Sequence, residues 1–243
     1  MAEAFAWGLL AASSLLIGAV VALRFRVGLR TIGLIMGFGA GVLLSAVSFD
    51  LVAEAVGKAS GQGATVLGML AGCGVFFGGD LLIDRAGGEH RKSARGRQAE
   101  GSELAIVLGT VLDGIPESLV IGLTIYESGT VGAAYLAAVL ISNLPEAIAS
   151  TTGLSTSGWR PRRILIMWTL IAVVSGLASL VGYLAFRHAS GDVIAFTLGF
   201  AAGAILTMHA DTMMPEAYRH GGRLVGVVTT LGFLIAFLID QID

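Results

Sequence analysis

The sequence predicts an all-α integral membrane protein. It would form one transmembrane domain over residues 1–243, with eight spanning helices, in which helices 1–3 and 6–8 form an inverted repeat around helices 4 and 5. Three observations predict this fold class. Apolar residues make up 55% of the chain and charged residues only 13%, against the ~25% charged residues of a soluble domain. Basic residues concentrate in alternate loops, and two stretches of the chain resemble each other.

Eight apolar segments approach the roughly 20 residues that cross the hydrocarbon core of a bilayer. The first is expected to be a retained helix and not a signal peptide, because no basic stretch precedes it. Glycine makes up 35 of the 243 residues, roughly twice the usual ~7%, which suits helices that pack closely in lipid. The fourth and fifth are interrupted by proline and carboxylate residues. In chain order the segments are 4–23, 31–56, 64–83, 103–125, 131–153, 164–186, 193–218 and 223–240.

The distribution of basic residues supports eight helices. All Lys and Arg residues except Lys58 and Arg187 lie in the loops after the first, third, fifth and seventh segments. The positive-inside rule places those loops in the cytoplasm and both termini outside, across a plasma (inner) membrane. The polar loop 85–102, with His90, is predicted to be disordered and solvated. A net charge of −2 gives no reason to expect a nucleic-acid partner.

The repeat relates the second segment to the seventh. Residues 36–55 align without a gap to residues 198–217, and the aligned pairs are Gly37 with Gly199, Gly41 with Gly203 and Glu54 with Glu216. Five helices separate the starts of the two units, so the units are predicted to face opposite ways. Inverted repeats of this kind are typical of secondary transporters, whose substrate site lies near the midplane.

Three of the chain's four prolines are followed directly by glutamate, in Pro116-Glu117, Pro145-Glu146 and Pro215-Glu216. Proline removes a helix hydrogen bond. A carboxylate at membrane depth costs several kcal/mol unless it is paired, protonated or bound to a cation. A chain that repeats both features together is predicted to build a polar site, and the simplest interpretation is an ion pathway.

The fourth and fifth segments carry the candidate site. Asp113 and Glu117 are spaced i, i+4, and Asn143 and Glu146 are spaced i, i+3, so each pair shares one helix face. Ser142 adds a hydroxyl group. If the two segments face each other, they offer carboxylate and amide oxygens suited to a divalent cation. The interior of the spans contains no Lys or Arg to act as a countercharge.

Other polar residues are candidates for a pathway that leads to this site. They are Asp50, Glu54, His209, Asp211 and Glu216. The alternative for the acidic residues is a position at a helix end near water. The alternative for the histidine is a buried ring whose nitrogens are satisfied by hydrogen bonds.

At these residues the chain resembles the ZIP family of divalent-metal transporters, which has eight helices, outer termini and a variable loop after helix 3. Helices 4 and 5 of that family carry motifs of the form HNxPEG and HNxPEG or QDxPEG, which form a binuclear metal site. The resemblance covers nearly the whole chain in layout, but is specific only in DGIPES and SNLPEA. It assigns ligand positions to Asp113, Gly114 and Glu117 on helix 4, and to Ser142, Asn143 and Glu146 on helix 5.

Both motif histidines are replaced, and Gly114 offers no side-chain ligand. Helix 6, from which family members can contribute a glutamate, offers only Ser175 and Ser179. Loss of imidazole with retention of carboxylates shifts the expected preference from zinc toward manganese, iron(II) or magnesium.

The sequence therefore predicts a non-enzymatic transporter of a divalent metal cation that takes up its substrate by alternating access. The alternatives are a transport-inactive metal-binding relative, an intramembrane lipid-phosphate enzyme and a proton-coupled exporter. The expected partners are the lipid bilayer and the metal ion. The sequence leaves open whether the protein forms a homodimer, because small-xxx-small patterns such as Gly37 to Gly41 suit helix packing within a subunit or between subunits.

Overall fold

The computed structural model describes residues 1–85, 102–187 and 189–241. Over these ranges the chain folds into eight helical rods without strands, as predicted. Most of the loop predicted to be disordered, 85–102 with His90, lies outside the described residues. The helices are α1 Ala2–Arg24, α2 Leu29–Lys58, α3 Gln62–Ile83, α4 Ser102–Ser128, α5 Ala133–Thr156, α6 Pro161–Ala185, α7 Gly191–Gly221 and α8 Leu224–Asp240.

Six of the described helices are long and apolar enough to cross a membrane. They are α1, α2, α3, α6, α7 and the stretch Val107–Glu127 of α4. The α8 helix is apolar but has 17 residues. The α5 helix has 24 residues, but its serine, threonine, asparagine and glutamate side chains lower its hydropathy. Length and composition thus support a multi-pass membrane protein.

Local sequence accounts for where several helices begin and end. The α6 helix begins at Pro161, whose fixed φ and missing N–H suit the first turn of a helix. Gly129 follows the end of α4 with φ of +74°, and Gly158 follows the end of α5 with φ of +88°. Residues other than glycine rarely adopt a positive φ, so glycine at these positions lets the chain leave each helix in a tight turn.

Within the described residues, α2 and α7 each contain an internal π-helical segment, and the two segments lie at matching positions of the repeat. The segment in α2 is Val47–Val52, and the segment in α7 is His209–Met213. In the gapless alignment Val47 pairs with His209. In α7 the segment lies just before Pro215, where the proline nitrogen cannot donate a helix hydrogen bond. The two aligned stretches therefore share a backbone irregularity as well as residues.

Glycines set the closest helix contacts. A Cβ atom built at Gly41 of α2 would collide with the Thr229 carbonyl oxygen of α8, and one at Gly203 of α7 would collide with the Met69 carbonyl oxygen of α3. These are aligned positions of the repeat. The Gly37 and Gly41 pattern thus packs against α8 of the same chain.

The helices form two packed groups. The α1, α4, α5 and α6 helices pack mainly on one another, with α1 against α5 and α6 and with α4 against α6. The α2, α3, α7 and α8 helices form the other group, with α3 against α7 and α2 against α8. The most extensive contact between the groups is α2 against α5.

Candidate metal centre

The α4 helix supplies two of the predicted carboxylates to a buried cavity. Asp113 and Glu117 lie one turn apart, on either side of the helix-interior Pro116, and both line the cavity. Their exposed fractions are 4% and 2%. The i, i+4 spacing therefore places both carboxylates on one face, as predicted.

The α5 helix supplies two further predicted side chains to the same cavity. Asn143 and Glu146 are buried and line it, with Pro145 inside the helix between them. The cavity has room for about one water molecule, so the space suits a single small guest.

The α1 and α6 helices complete the walls. Ala11 and Leu15 of α1 and Ile171 of α6 provide apolar surface beside the polar α4 and α5 residues. Small residues let α1 approach closely, since a Cβ atom at Gly18 would lie 2.6 Å from the Leu144 carbonyl oxygen of α5. The site is thus enclosed by four helices, although the sequence indicated only two of them.

The α4 and α5 helices are not extensive neighbours. Each packs mainly on another helix, α4 on α6 and α5 on α1. They approach each other locally at the site, where the buried Tyr135 hydroxyl of α5 donates to the Glu117 carbonyl oxygen at 3.4 Å. The expectation of two helices packed face to face is therefore replaced by two helices that meet at the cavity.

Three hydroxyl side chains that were not predicted as site residues also line the cavity. They are Thr110 and Ser118 on α4 and Ser175 on α6. Thr110 lies three residues before Asp113, so helical spacing could have indicated it. Ser175 is a helix 6 residue, and no local spacing relates it to α4. Each hydroxyl adds an oxygen donor to the cavity.

The cavity is acidic in character. Among its described lining residues there is no lysine, arginine or histidine. Among the described residues as a whole, no group of three or more His, Cys, Asp and Glu side chains is gathered closely enough to hold a metal ion. The structure therefore brings the oxygen ligands to one cavity, but it does not gather them at the short distances of a metal coordination shell.

Ser142 lies apart from the other predicted ligands and does not line the cavity. Its hydroxyl donates to the Val139 carbonyl oxygen at 3.1 Å. Its Cα would lie 3.2 Å from a Cβ atom built at Gly39 of α2. The structure thus places Ser142 at the α2–α5 contact.

The predicted pathway residues fall into different surroundings. Asp50 and Glu54 on α2 are half-buried, whereas Asp211 is exposed. Glu216 accepts a hydrogen bond from His220 at 2.8 Å and lies 3.8 Å from Arg219, both on its own helix. For Glu216 this geometry favours the alternative, a carboxylate at a helix end.

His209 is buried in the π-helical segment of α7. Its Nε2 lies 2.9 Å from the Ala40 carbonyl oxygen of α2, and its Nδ1 lies 3.2 Å from the Ile205 carbonyl oxygen. Both ring nitrogens thus face backbone oxygens. The ring links α7 to α2, which favours a structural role.

Comparison with known proteins gives three relevant relatives. Zinc transporter ZIPB of Bordetella bronchiseptica is 28% identical over 92% of this chain and 76% of its own length. Zinc transporter GufA of Myxococcus xanthus is 26% identical over 80% of each chain. These two matches support the resemblance to the ZIP family. A candidate zinc transporter of Arabidopsis thaliana is 26% identical over 77% of this chain, and the match spans 30% of the plant protein. No family model matches the chain.

Similarity to zinc transporters supports the resemblance that the two Pro-Glu motifs indicated. By that resemblance, Asp113 and Ser142 stand where the family motifs have histidine. The first replacement lines the cavity and the second does not. Of these two positions, one therefore faces the cavity and the other lies at the α2–α5 contact.

Proposed function

We propose that this protein carries a divalent metal cation across a plasma (inner) membrane, in the direction of uptake, through the cavity between α4 and α5. Glu117 and Glu146 would be the central ligands, and Asp113 and Asn143 would complete the cage. The observation that carries this proposal is that these four side chains, from two proline-containing helices, line one buried cavity.

Charge and donor chemistry support a cation as the guest. Carboxylate, amide and hydroxyl oxygens are the ligands that hard divalent cations prefer. Several carboxylates close together in a low-dielectric interior strongly favour a bound positive charge. The described lining residues supply that negative charge without a basic side chain of their own.

The names of the relatives make zinc the first substrate to test, since all three are named for zinc transport. The donor set of this chain differs in kind, because it consists of oxygens where the family motif has histidine. Oxygen donors bind zinc less selectively than imidazole does. We therefore propose that this chain transports manganese or iron(II) as well as zinc.

The packing suggests how access would alternate. The α1, α4, α5 and α6 helices hold the site, and they would move as one group against α2, α3, α7 and α8. The inverted repeat supports this division. The repeat relates helices 1–3 to helices 6–8 and helix 4 to helix 5. The contact between α3 and α7 then corresponds to the contact between α8 and α2, and the α1–α5 contact corresponds to the α6–α4 contact. All four are major contacts. Two arrangements related by such a symmetry would open the site to opposite sides in turn.

Transport assays on isosteric variants test the proposal. Glu117→Gln and Glu146→Gln remove a charge but keep the shape of the side chain, and each is expected to reduce Zn²⁺ and Mn²⁺ uptake into proteoliposomes by more than about 100-fold, because losing even an outer-shell partner of a metal costs 10–100-fold. Two matched controls should retain uptake. Glu3→Gln changes an exposed carboxylate on α1, and Ser142→Ala changes the motif position outside the cavity.

Wild-type uptake by both glutamine variants would refute the site. Binding of metal by the wild-type protein without flux would identify a transport-inactive relative. The relatives are named as zinc transporters, which favours a transporter over an enzyme. The described cavity wall also lacks the Arg or Lys that a lipid-phosphate enzyme needs to hold its substrate.

A further inference from the structure

A second group of charged side chains lies at the end of the bundle where α2 and α4 end. We call it the outer cluster, and it consists of Glu54, Lys58 and Glu127. Lys58 Nζ lies 2.6 Å from Glu127 Oε1. Glu54 lies one turn before Lys58 on α2. The charge pattern of the loops predicts that this end faces away from the cytoplasm.

The Glu127 carboxylate is more buried than an ordinary surface ion pair. Its side chain is 9% exposed, whereas that of Lys58 is 37% exposed. Its second oxygen, Oε2, is buried and accepts no hydrogen bond from any described residue. The carboxyl group of Glu54 lies within hydrogen-bonding range of Glu127. Two carboxyl groups at this range repel each other unless a proton or a cation lies between them.

Lys58 only partly meets that need. The Lys58 ammonium bonds Oε1 of Glu127. The lysine side chain is long and half-exposed, so it can move into solvent. A divalent cation carries twice the charge and can bind oxygens of both carboxylates at once. It would therefore take the place of the ammonium and of any proton that the two carboxyl groups share.

The acidic residues of α2 continue inward from this cluster. Asp50 lies one turn before Glu54 on α2. At the cavity, the buried Tyr135 hydroxyl of α5 donates to the Glu117 backbone carbonyl. Acidic side chains on α2 thus lead from the outer cluster into the span.

We propose that Glu54 and Glu127 form an outer binding site for a divalent cation, at which the arriving cation displaces Lys58. That the bound ion is a divalent metal is inferred from the proposed function. The location of the site is inferred from the contacts among Glu54, Lys58 and Glu127. Lys58 would keep the outer site weaker than the cavity, so that a cation is passed inward and not retained.

Binding in a background without the inner site tests this proposal. Full-length protein with Glu117→Gln and Glu146→Gln is titrated with Mn²⁺, and free Mn²⁺ is followed by electron paramagnetic resonance. One weak site is expected. Adding Lys58→Met should strengthen it roughly tenfold, since one like charge is removed from a partly exposed site. Adding Glu127→Gln should abolish it, and adding Glu3→Gln should leave it unchanged.

The gain expected from Lys58→Met cannot arise from misfolding, which would only lose binding. Absence of Mn²⁺ binding at millimolar concentration in the double-glutamine background, with or without Lys58→Met, would show that a proton alone joins the two carboxyl groups and would overturn the proposal. Binding that persists in the Glu127→Gln variant would overturn it as well. These results are independent of uptake, so they can fail while the proposed function holds.

Discussion

The α4–α5 cavity and the outer cluster both contain buried carboxylates, but their surroundings differ. In the outer cluster a lysine lies 2.6 Å from Glu127 and reaches solvent. In the cavity the described lining residues are acidic, hydroxyl, amide or apolar. An ion pair that one side chain can leave is easily replaced. A deeper acidic cavity favours a guest cation more strongly. If both groups bind a cation as proposed, a resident countercharge would determine whether the acidic groups attract it briefly or hold it.

The largest expected effect comes from giving the cavity its own countercharge. Ser175 of α6 lines the cavity, and Ser175→Lys would place an ammonium beside the carboxylates of α4. This variant should lose metal uptake by more than about 100-fold, because the ammonium occupies the position of the cation. The measurement is Mn²⁺ and Zn²⁺ uptake by purified protein in liposomes.

Ser175→Met is the matched control for this variant, since methionine has a similar length and no charge. It overpacks the cavity, which typically costs about 1–3 kcal/mol of stability, but it should keep measurable uptake. Equal loss of uptake in both variants would show that size and not charge is decisive. That result would break the comparison between the two groups of carboxylates.

A smaller effect is expected from restoring one family ligand. Asp113→His returns imidazole to the α4 motif position that lines the cavity, and it should raise the ratio of Zn²⁺ to Mn²⁺ uptake by about tenfold, because imidazole favours zinc over manganese. Competition of the two ions in uptake measures this ratio. Asp113→Asn is the control, since it removes the carboxylate charge without adding imidazole. The same ratio in both variants would contradict the view that donor chemistry sets selectivity.

The sequence predicted the helices well because their signals are local. Apolar length located all eight helices, and the segment predicted at 64–83 corresponds to α3 at Gln62–Ile83. The i, i+4 and i, i+3 spacings predicted which α4 and α5 side chains share a face, and Asp113, Glu117, Asn143 and Glu146 do line one cavity. Whether they ligate a metal stays a prediction.

The remaining features depend on contacts between distant parts of the chain. Lys58 and Glu127 are separated by 69 residues, and no periodicity relates them. The place of α1 in the cavity wall depends on small residues such as Gly18 that allow close approach to α5. Spacing fixes the face of a helix but not the neighbour that the face meets. This explains why Ser142, assigned by its motif position, lies at the α2–α5 contact instead.

In the proposed function, carboxylates from two proline-containing helices share one cation. Anomalous X-ray diffraction from crystals of the protein grown with Mn²⁺ tests it most directly. We expect a manganese peak in the cavity, at ligand distance from carboxylate oxygens of both Glu117 and Glu146. A well-ordered structure in which this cavity shows no anomalous peak, while Glu117 and Glu146 bond only to protein groups, would contradict it.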